Sequence, residues 1–305
     1  MIKTIVIGLG GGGSNAVSYM FQNRIEQVEY WIANTDLSAL KYSGCTNMLL
    51  LGKHTTRGLG AGGNPEVGKA AALEGVDEIR NKLHNADIVF VSVCLGGGTG
   101  TGAAPVVCKI AKELGSLVIC VATLPFSFEG KRRNEYASTA VKELLAVADS
   151  VLLVSNNKLL EVIGRIPLVK AFHEADKVLV QSMRMIVDLV STKSLINLDF
   201  ADIKATMKGQ GLAHIGIGIA NGENRAREAA QQAISSPLLE MKVNDAKHAI
   251  IHVTGNTRLR LEETELAVLH IQSCIKRDID IIFGVAINEQ LLDEIIVSVI
   301  LAGVL

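Results

Sequence analysis

The chain has 305 residues, 49% of them hydrophobic and 20% charged, enough for a sizeable core and, on length, about two domains; that balance excludes intrinsic disorder. A net charge of −1 sets up no basic field for nucleic acid, and 4% aromatics leave little to stack bases on, so no nucleic-acid partner is expected. No apolar run reaches the ~20 residues of a membrane span, residues 4–7 are too short for a signal peptide core, and a cytoplasmic protein without direct membrane insertion is expected.

Taken along the chain, residues 2–8, 29–34, 87–94, 117–123 and 150–154 are dense in Val, Ile and Leu on both faces, as parallel strands covered by helices should be. Residues 14–22, 65–83, 104–114 and 131–147 between them show helical spacing, with Pro65 and Pro105 expected in first helical turns. The alternation predicts an α/β fold, doubly wound around a mostly parallel sheet. Residues 168–190 contain no glycine or proline and carry apolar residues every three or four positions, which predicts one long helix. Strands at 215–220, 249–253, 279–286 and 294–301 and helices at 223–235 and 261–275 then predict a smaller α+β domain. The expected division is 1–166, a long central helix over 167–191, and 192–305.

Cysteine and histidine carry no chemistry in this reading. Cys45, Cys94, Cys108, Cys120 and Cys274 are odd in number and form no Cys-x-x-Cys, so they read as reduced core thiols. His248 and His252 are four apart but in a segment that reads as strand, which removes the helical zinc geometry.

The chemistry lies in the glycines. Gly96, Gly97, Gly98, Thr99, Gly100, Thr101 and Gly102 directly follow the strand at 87–94. A strand running into such a turn and then a helix presents outward-pointing amides and the positive end of a helix dipole, a cradle for phosphate to which both threonines add hydroxyls. Five glycines exceed what a tight turn needs, and no lysine follows as a P-loop would require. A β-branched residue at Gly98 or Gly100 is expected to abolish nucleotide binding in a folded protein. A second glycine run, residues 8–13, fits Gly-x-Gly-x-x-Gly, and Asp36 follows where a dinucleotide-binding fold would place a ribose-binding acid. That reading leaves residues 96–102 without a role, whereas two glycine segments after two strands suggest one polyphosphate held from both sides.

These residues resemble the FtsZ family of bacterial cell-division GTPases, within the tubulin superfamily, along nearly the whole chain. Gly-Gly-Gly-Thr-Gly-Thr-Gly at 96–102 looks like the family's signature loop. IGLGGGGSNAV at 7–17, ANTD at 33–36, TRGLGAGGNPEVG at 56–68, PFSFEG at 125–130, NLDFAD at 197–202 and GENRAREAAQQAISSPLLE at 222–240 follow in the family's order and spacing. The resemblance implies a GTPase that assembles head to tail into a homopolymer, binds GTP or GDP with Mg²⁺ held mainly by the phosphates rather than by a dedicated protein site, has K⁺ as a further candidate, and acts with division-ring proteins at the division site.

It also implies roles for single residues. Gly11 and Gly12 match positions near the phosphates and Asn15 one toward the base; Asn34 and Asp36 match the next loop; Ala61, Gly62 and Gly63 match the loop that covers the γ-phosphate. Glu129 and Arg133 match ribose and phosphate contacts, and their i,i+4 spacing puts them on one side of a helix start. Asn156, Phe172 and Asp176 match the guanine-reading set. Phe172 and Asp176 share a helix face, so a ring can stack on a purine while a carboxylate accepts from the guanine N1–H and amino group, donors that adenine lacks on that edge. Asn197, Asp199 and Asp202 match the loop that activates water at the γ-phosphate of a neighbouring subunit. An isolated acidic pair at a helix start would otherwise read as capping.

The long helix supports catalysis between subunits. From Asp176 to Thr192 it advances about 24 Å at ~1.5 Å per residue, away from the base, so Asp176 and Asp199 are not expected to meet at a single GTP. Head-to-tail stacking resolves this, and an interface that does not close propagates into a filament. Leu124, Asn157 and His214 depart from the family's usual Arg, Asp and Met and leave filament geometry open. The chain ends at Leu305, before the linker and tail that the resemblance implies. Two other readings stand beside this one: a Rossmann-type oxidoreductase binding NAD or FAD, and a polymerising GTP-binding scaffold without hydrolysis.

Overall fold

The computed structural model describes residues 2–22, 24–25, 27–164, 166–191, 199–236, 246–275 and 279–304. It comprises two compact units, Met1–Met183 and Arg184–Leu305, and the division between them falls inside the long helix. In the first unit β1 (Thr4–Leu9), β2 (Val28–Asn34), β3 (Met48–Leu50), β4 (Ile88–Cys94), β5 (Leu117–Leu124) and β6 (Ser150–Ser155) form a sheet in the order β3-β2-β1-β4-β5-β6. Every neighbouring pair is parallel. Successive strand residues point to opposite faces. β1, β4, β5 and β6 are buried at all or all but their last position, so both faces of the sheet are covered.

The helices of this unit are α1 (Gly10–Gln22), α2 (Leu37–Lys41), α3 (Pro65–Glu74), α4 (Val76–Leu83), α5 (Thr99–Glu113), α6 (Lys131–Val147) and α7 (Asn156–Ile163), and α8 (Leu168–Ser191) is the long helix that begins in it and ends in the second unit. Three expectations need correction. The glycine segments are loops only in part: Gly96–Gly98 make the turn after β4, whereas Gly10–Gly13 are the first turn of α1 and Thr99–Gly102 the first turn of α5. As a result Pro105 lies inside α5 rather than at its start. The helix expected over 65–83 is two, because Gly75 closes α3 with its amide bonded to the Ala72 and Leu73 carbonyls and α4 begins after it. Pro65 does occupy the first turn of α3, capped by Asn64, whose Oδ1 accepts from the Glu66 amide at 3.1 Å.

α3 and α5 touch backbone to backbone. A Cβ on Gly102 would fall 1.9 Å from the Pro65 carbonyl oxygen, and one on Gly68 would fall 2.3 Å from the Gly98 carbonyl oxygen. Part of the glycine density at 96–102 therefore serves helix packing, a reason for glycine that differs from phosphate access.

The second unit holds α9 (Phe200–Met207), β7 (Gly211–Asn221), α10 (Arg225–Ile234), β8 (His248–Gly255), α11 (Leu261–Cys274), β9 (Asp280–Ile287) and β10 (Glu294–Val304). Its strands run β7-β10-β8-β9, with β10 antiparallel to β7 and β8, and β8 parallel to β9. Ala229, Ala230 and Ala233 of α10 pack with Ala267 and Ile271 of α11 against Ile251, Val253, Val297 and Val299. The buried Arg225 guanidinium makes a bidentate pair with the buried Glu263 carboxylate, at 2.7 and 3.0 Å, and reaches Asp293 Oδ1 at 3.1 Å. This one cation joins the starts of α10 and α11 to the turn before β10. His248 and His252 lie on β8, about 13 Å apart along an extended strand. All five cysteines are free thiols, and no helix among the described residues is long and apolar enough to cross a membrane.

Gly102→Ala should lower the unfolding free energy by about 1–3 kcal/mol, because α3 must move away from α5 to admit one methyl group. Urea unfolding compared with Gly44→Ala, at a glycine with open space around it and no left-handed φ, measures the difference.

Candidate functional site

In a parallel sheet ordered β3-β2-β1-β4-β5-β6 the connections reverse direction between β1 and β4, which opens a crevice at the carboxyl ends of those two strands. A cleft of ≈ 390 Å³ lies there, and every residue lining it belongs to the first unit. Its floor is two helix starts. A Cβ on Gly10 would fall 2.8 Å from the Gly100 amide nitrogen, and one on Gly100 would fall 2.9 Å from the Leu9 carbonyl oxygen. The N-termini of α1 and α5 thus meet at backbone contact distance. Gly98 caps α5 without any side-chain hydrogen bond, so the first-turn amides that a helix cannot satisfy internally are left for a bound anion.

Of the sequence-predicted residues, Gly11, Gly12, Asn15, Gly97, Gly98, Thr99, Gly100, Glu129, Arg133, Asn156, Phe172 and Asp176 line this one cleft. Gly11 and Gly97 have nothing within 4 Å of where a Cβ would stand, so open space faces the backbone at both. Asn156, at the start of α7, is buried with its Oδ1 unpartnered; an orphaned acceptor in a cleft fits a ligand that brings a donor. Phe172 meets Phe126 edge-on at 5.3 Å, and Phe126 stacks on Phe128 at 5.0 Å, which fixes the ring while leaving it 41% exposed. Glu129 accepts from the Phe126 amide at 2.9 Å and pairs with Arg133 on the next helical turn. Burial holds the Asp176 carboxyl up at about 6, with His173 pulling it down.

The other predicted residues lie outside the lining. Thr101 accepts from the Gly96 amide at 2.9 Å and so closes the turn between β4 and α5. Gly96 leaves β4 at φ 97°, and Gly102 packs on α3. Asn34 Oδ1 accepts from the Asp36 amide at 3.3 Å. Asp36 caps α2, its Oδ1 accepting from Ser38 and Ala39 at 2.8 and 3.1 Å, so its carboxylate has a structural use that a ribose-binding reading overlooks. Ala61 packs against Gly98, and Gly62 and Gly63 take left-handed φ of 58° and 71°. In the second unit, Asp199 and Asp202 cap α9 reciprocally: Asp199 Oδ1 accepts from the Asp202 amide at 2.8 Å and Asp202 Oδ2 from the Asp199 amide at 3.3 Å. One oxygen of each is engaged there. Asn197 lies outside the described residues. No cluster of three or more metal-ligating side chains occurs among the described residues.

The sequence reading missed Gly10, Cys94, Thr123, Pro125 and Ala175, which also line the cleft. Thr123 and Pro125 follow from position alone, since β5 ends beside β4. Cys94 has no motif signal. Burial pushes its thiol up to about 12, against a hydrogen bond with Thr123, and a Cβ on Gly12 would fall 2.4 Å from its sulfur. Asn157, one of the departures from the family pattern, accepts from the Ser127 amide at 2.9 Å.

The comparisons agree over the whole chain. A model of the Tubulin/FtsZ family GTPase domain matches residues 3–164, and one of the FtsZ family C-terminal domain matches residues 211–305. The cell division protein FtsZ of Mycoplasmopsis pulmonis is 49% identical over 298 residues, 98% of this chain and 76% of that protein. The structure of an empty FtsZ dimer from M. jannaschii superposes with a TM-score of 0.96 at 41% identity, covering 99% of this chain and 88% of that one. A GTPγS-bound protofilament of CetZ2 from Haloferax volcanii shares the fold, with a TM-score of 0.84 at 22% identity over 100% of this chain and 94% of that one.

Two outcomes check this cleft. Gly97→Ala and Gly11→Ala should fold with unchanged thermal stability yet lose nucleotide affinity by roughly tenfold or more, because each added methyl stands in the open space of the cleft. Gly98→Val should instead unfold more easily, since its Cβ would stand 2.8 Å from the Asn64 amide nitrogen. The expectation that Gly98 and Gly100 tolerate branched residues in a folded protein is thereby corrected. If Asp176 must be ionised to accept from a bound base, guanine-nucleotide affinity should level off about one unit above its value of about 6. It should fall about tenfold per unit below that value, and Asp176→Asn should flatten the profile. Isothermal titration between pH 5 and 8 reads both.

Proposed function

The chain belongs to the FtsZ family of the tubulin superfamily, and on that premise we propose that its cleft binds GTP with the phosphates on the starts of α1 and α5 and the guanine at Asp176, Asn156 and Phe172. The carrying observation is that two glycine-built helix N-termini, an orphaned amide oxygen, a half-buried carboxylate and an aromatic ring share one cleft at the switch point of a parallel sheet. Neither NAD nor FAD chemistry has a counterpart in this set, and the comparisons give an oxidoreductase no support. The protein is a GTPase that polymerises and takes part in cell division, as the family is.

In the proposed site the α1 and α5 amides and the Thr99 hydroxyl hold the phosphate oxygens, and Gly11 and Gly97 let the chain approach them closely. Arg133 adds a cation, and Glu129, held by the Phe126 amide, offers an acceptor for ribose. Asp176 accepts from the guanine N1–H and amino group, Asn156 Oδ1 takes a further donor, and Phe172 covers the ring. Mg²⁺, bound mainly through the phosphates, supplies charge neutralisation on the transferring group, and K⁺ is a further candidate cation. Asn34, Asp36, Ala61, Gly62 and Gly63 shape the loops around this floor.

Asp199 and Asp202 act in the proposal on the GTP of the next subunit, together with Asn197. The reciprocal cap sets the two carboxylates side by side at the start of α9, and the oxygens outside the cap serve to orient water or a cation. The M. jannaschii relative, a dimer, supports self-association; placement in the cytoplasm at the division site, with division-ring partners, is proposed from the likeness to a cell division protein. The domain limits we adopt are 1–166, 167–191 and 192–305.

Turnover per molecule should rise with protein concentration above a threshold if subunits complete each other's sites. Asp199→Ala should bind GTP as the parent does and hydrolyse it at least about a hundredfold more slowly. Mixing it with Asp176→Ala, which lacks the base reader, should restore part of the activity. Phosphate release and light scattering recorded together decide the matter; concentration-independent turnover, or full activity of Asp199→Ala, excludes the shared site.

A further inference from the structure

Thr35 is fully buried, lies just beyond β2, and is not among the residues lining the cleft. Its hydroxyl is 2.6 Å from the hydroxyl of Thr99, the first residue of α5, which does line the cleft and is 9% exposed. The backbone around Thr35 is held on both sides. Its carbonyl accepts from the Gly60 amide at 3.0 Å and from the Thr56 hydroxyl at 3.2 Å, and the Leu37 amide donates to the Gly58 carbonyl at 3.0 Å. The Thr35 hydroxyl is therefore a fixed group, placed behind Thr99 as seen from the cleft.

Two hydroxyls at this distance share one proton between them, and each can be donor or acceptor. Resting on the reading above, in which the cleft holds phosphate, the direction is settled once the cleft is filled. A phosphate oxygen can only accept, so Thr99 must donate to it, and the proton between the two threonines must then come from Thr35. A hydroxyl that accepts from a neighbour becomes a better donor, and a charged acceptor at the end of the chain strengthens both bonds.

We propose that Thr35 is a positioning residue for the GTPase: by donating to Thr99 it aims the Thr99 hydroxyl at phosphate, and it contributes to phosphate affinity without touching the nucleotide. The juxtaposition arises only because the loop after β2 crosses behind the start of α5. Residues 35 and 99 lie in separate motifs, and neither motif points to the other.

The test compares GTP, GDP and guanosine binding to the parent, Thr35→Val, Thr35→Ser, Thr99→Val and the double valine variant, with thermal unfolding of each. Thr35→Val should weaken GTP and GDP roughly five- to tenfold and leave guanosine unchanged; Thr35→Ser should bind as the parent does. Adding Thr35→Val to Thr99→Val should cause no further loss, because the aimed hydroxyl is already gone. An equal loss for guanosine and GTP would make Thr35 a packing residue only, and additive losses would mean that it acts independently of Thr99; either overturns the proposal, as does parental GTP binding in Thr35→Val. If the valine does not fit, Thr35→Ala removes the hydroxyl without added bulk and is read the same way. Failure of the parent to bind GTP would instead overturn the assignment of the cleft.

Discussion

The site depends on one contact, the meeting of the α1 and α5 N-termini across the ends of β1 and β4. A helix start carries unsatisfied amides and partial positive charge. Bringing two together with no side chain between them concentrates donors of one sign in a small volume. Only glycine allows it: Gly10 and Gly100 stand where a Cβ would strike backbone. Such an arrangement is electrostatically unfavourable when empty and favourable when an anion lies across it, so anion binding follows from the backbone before any side chain is considered.

Side chains then narrow the choice of ligand. Asp176, Asn156 and Phe172 line the same cleft from α7 and α8. Burial that pushes the Asp176 carboxyl up to about 6 also makes its ionised form gain most from a paired donor. In the proposed site, the group that reads guanine therefore also makes recognition sensitive to acid. A cleft lined by two helix starts and a half-buried carboxylate suits a ligand that brings both negative charge and hydrogen-bond donors.

Glycine at 96–102 has several separate jobs. Gly97 faces open space, Gly98 and Gly102 permit α3 to lie on α5, and Gly100 permits the approach of Leu9. A motif that looks like one device is two, a phosphate cradle and a helix–helix contact, so the effect of a substitution depends on which glycine is changed. The acidic pair is likewise double: Asp199 and Asp202 cap α9 in the usual way and stand side by side as a result.

Much of this was legible in the chain itself. Apolar runs buried on both faces marked β1, β4, β5 and β6; the absence of glycine and proline marked α8; and the ordered motifs marked the family, because each depends on local spacing. The start of α5 was misplaced because glycine weakens every local helix signal, and only packing against α3 and α1 carries the helix back to Thr99. Gly75 was passed over for the converse reason, since one glycine in a periodic run leaves the helical pattern intact and only the cap bonds show the break. Cys94 and the Thr35–Thr99 pair were invisible because they depend on which strands are neighbours. Residue types and spacing along the chain point to phosphate, and the family resemblance that they carry implies guanine. Tertiary structure decided which glycines face the open cleft and which let helices touch, because close approach is a property of two segments and is written in neither alone.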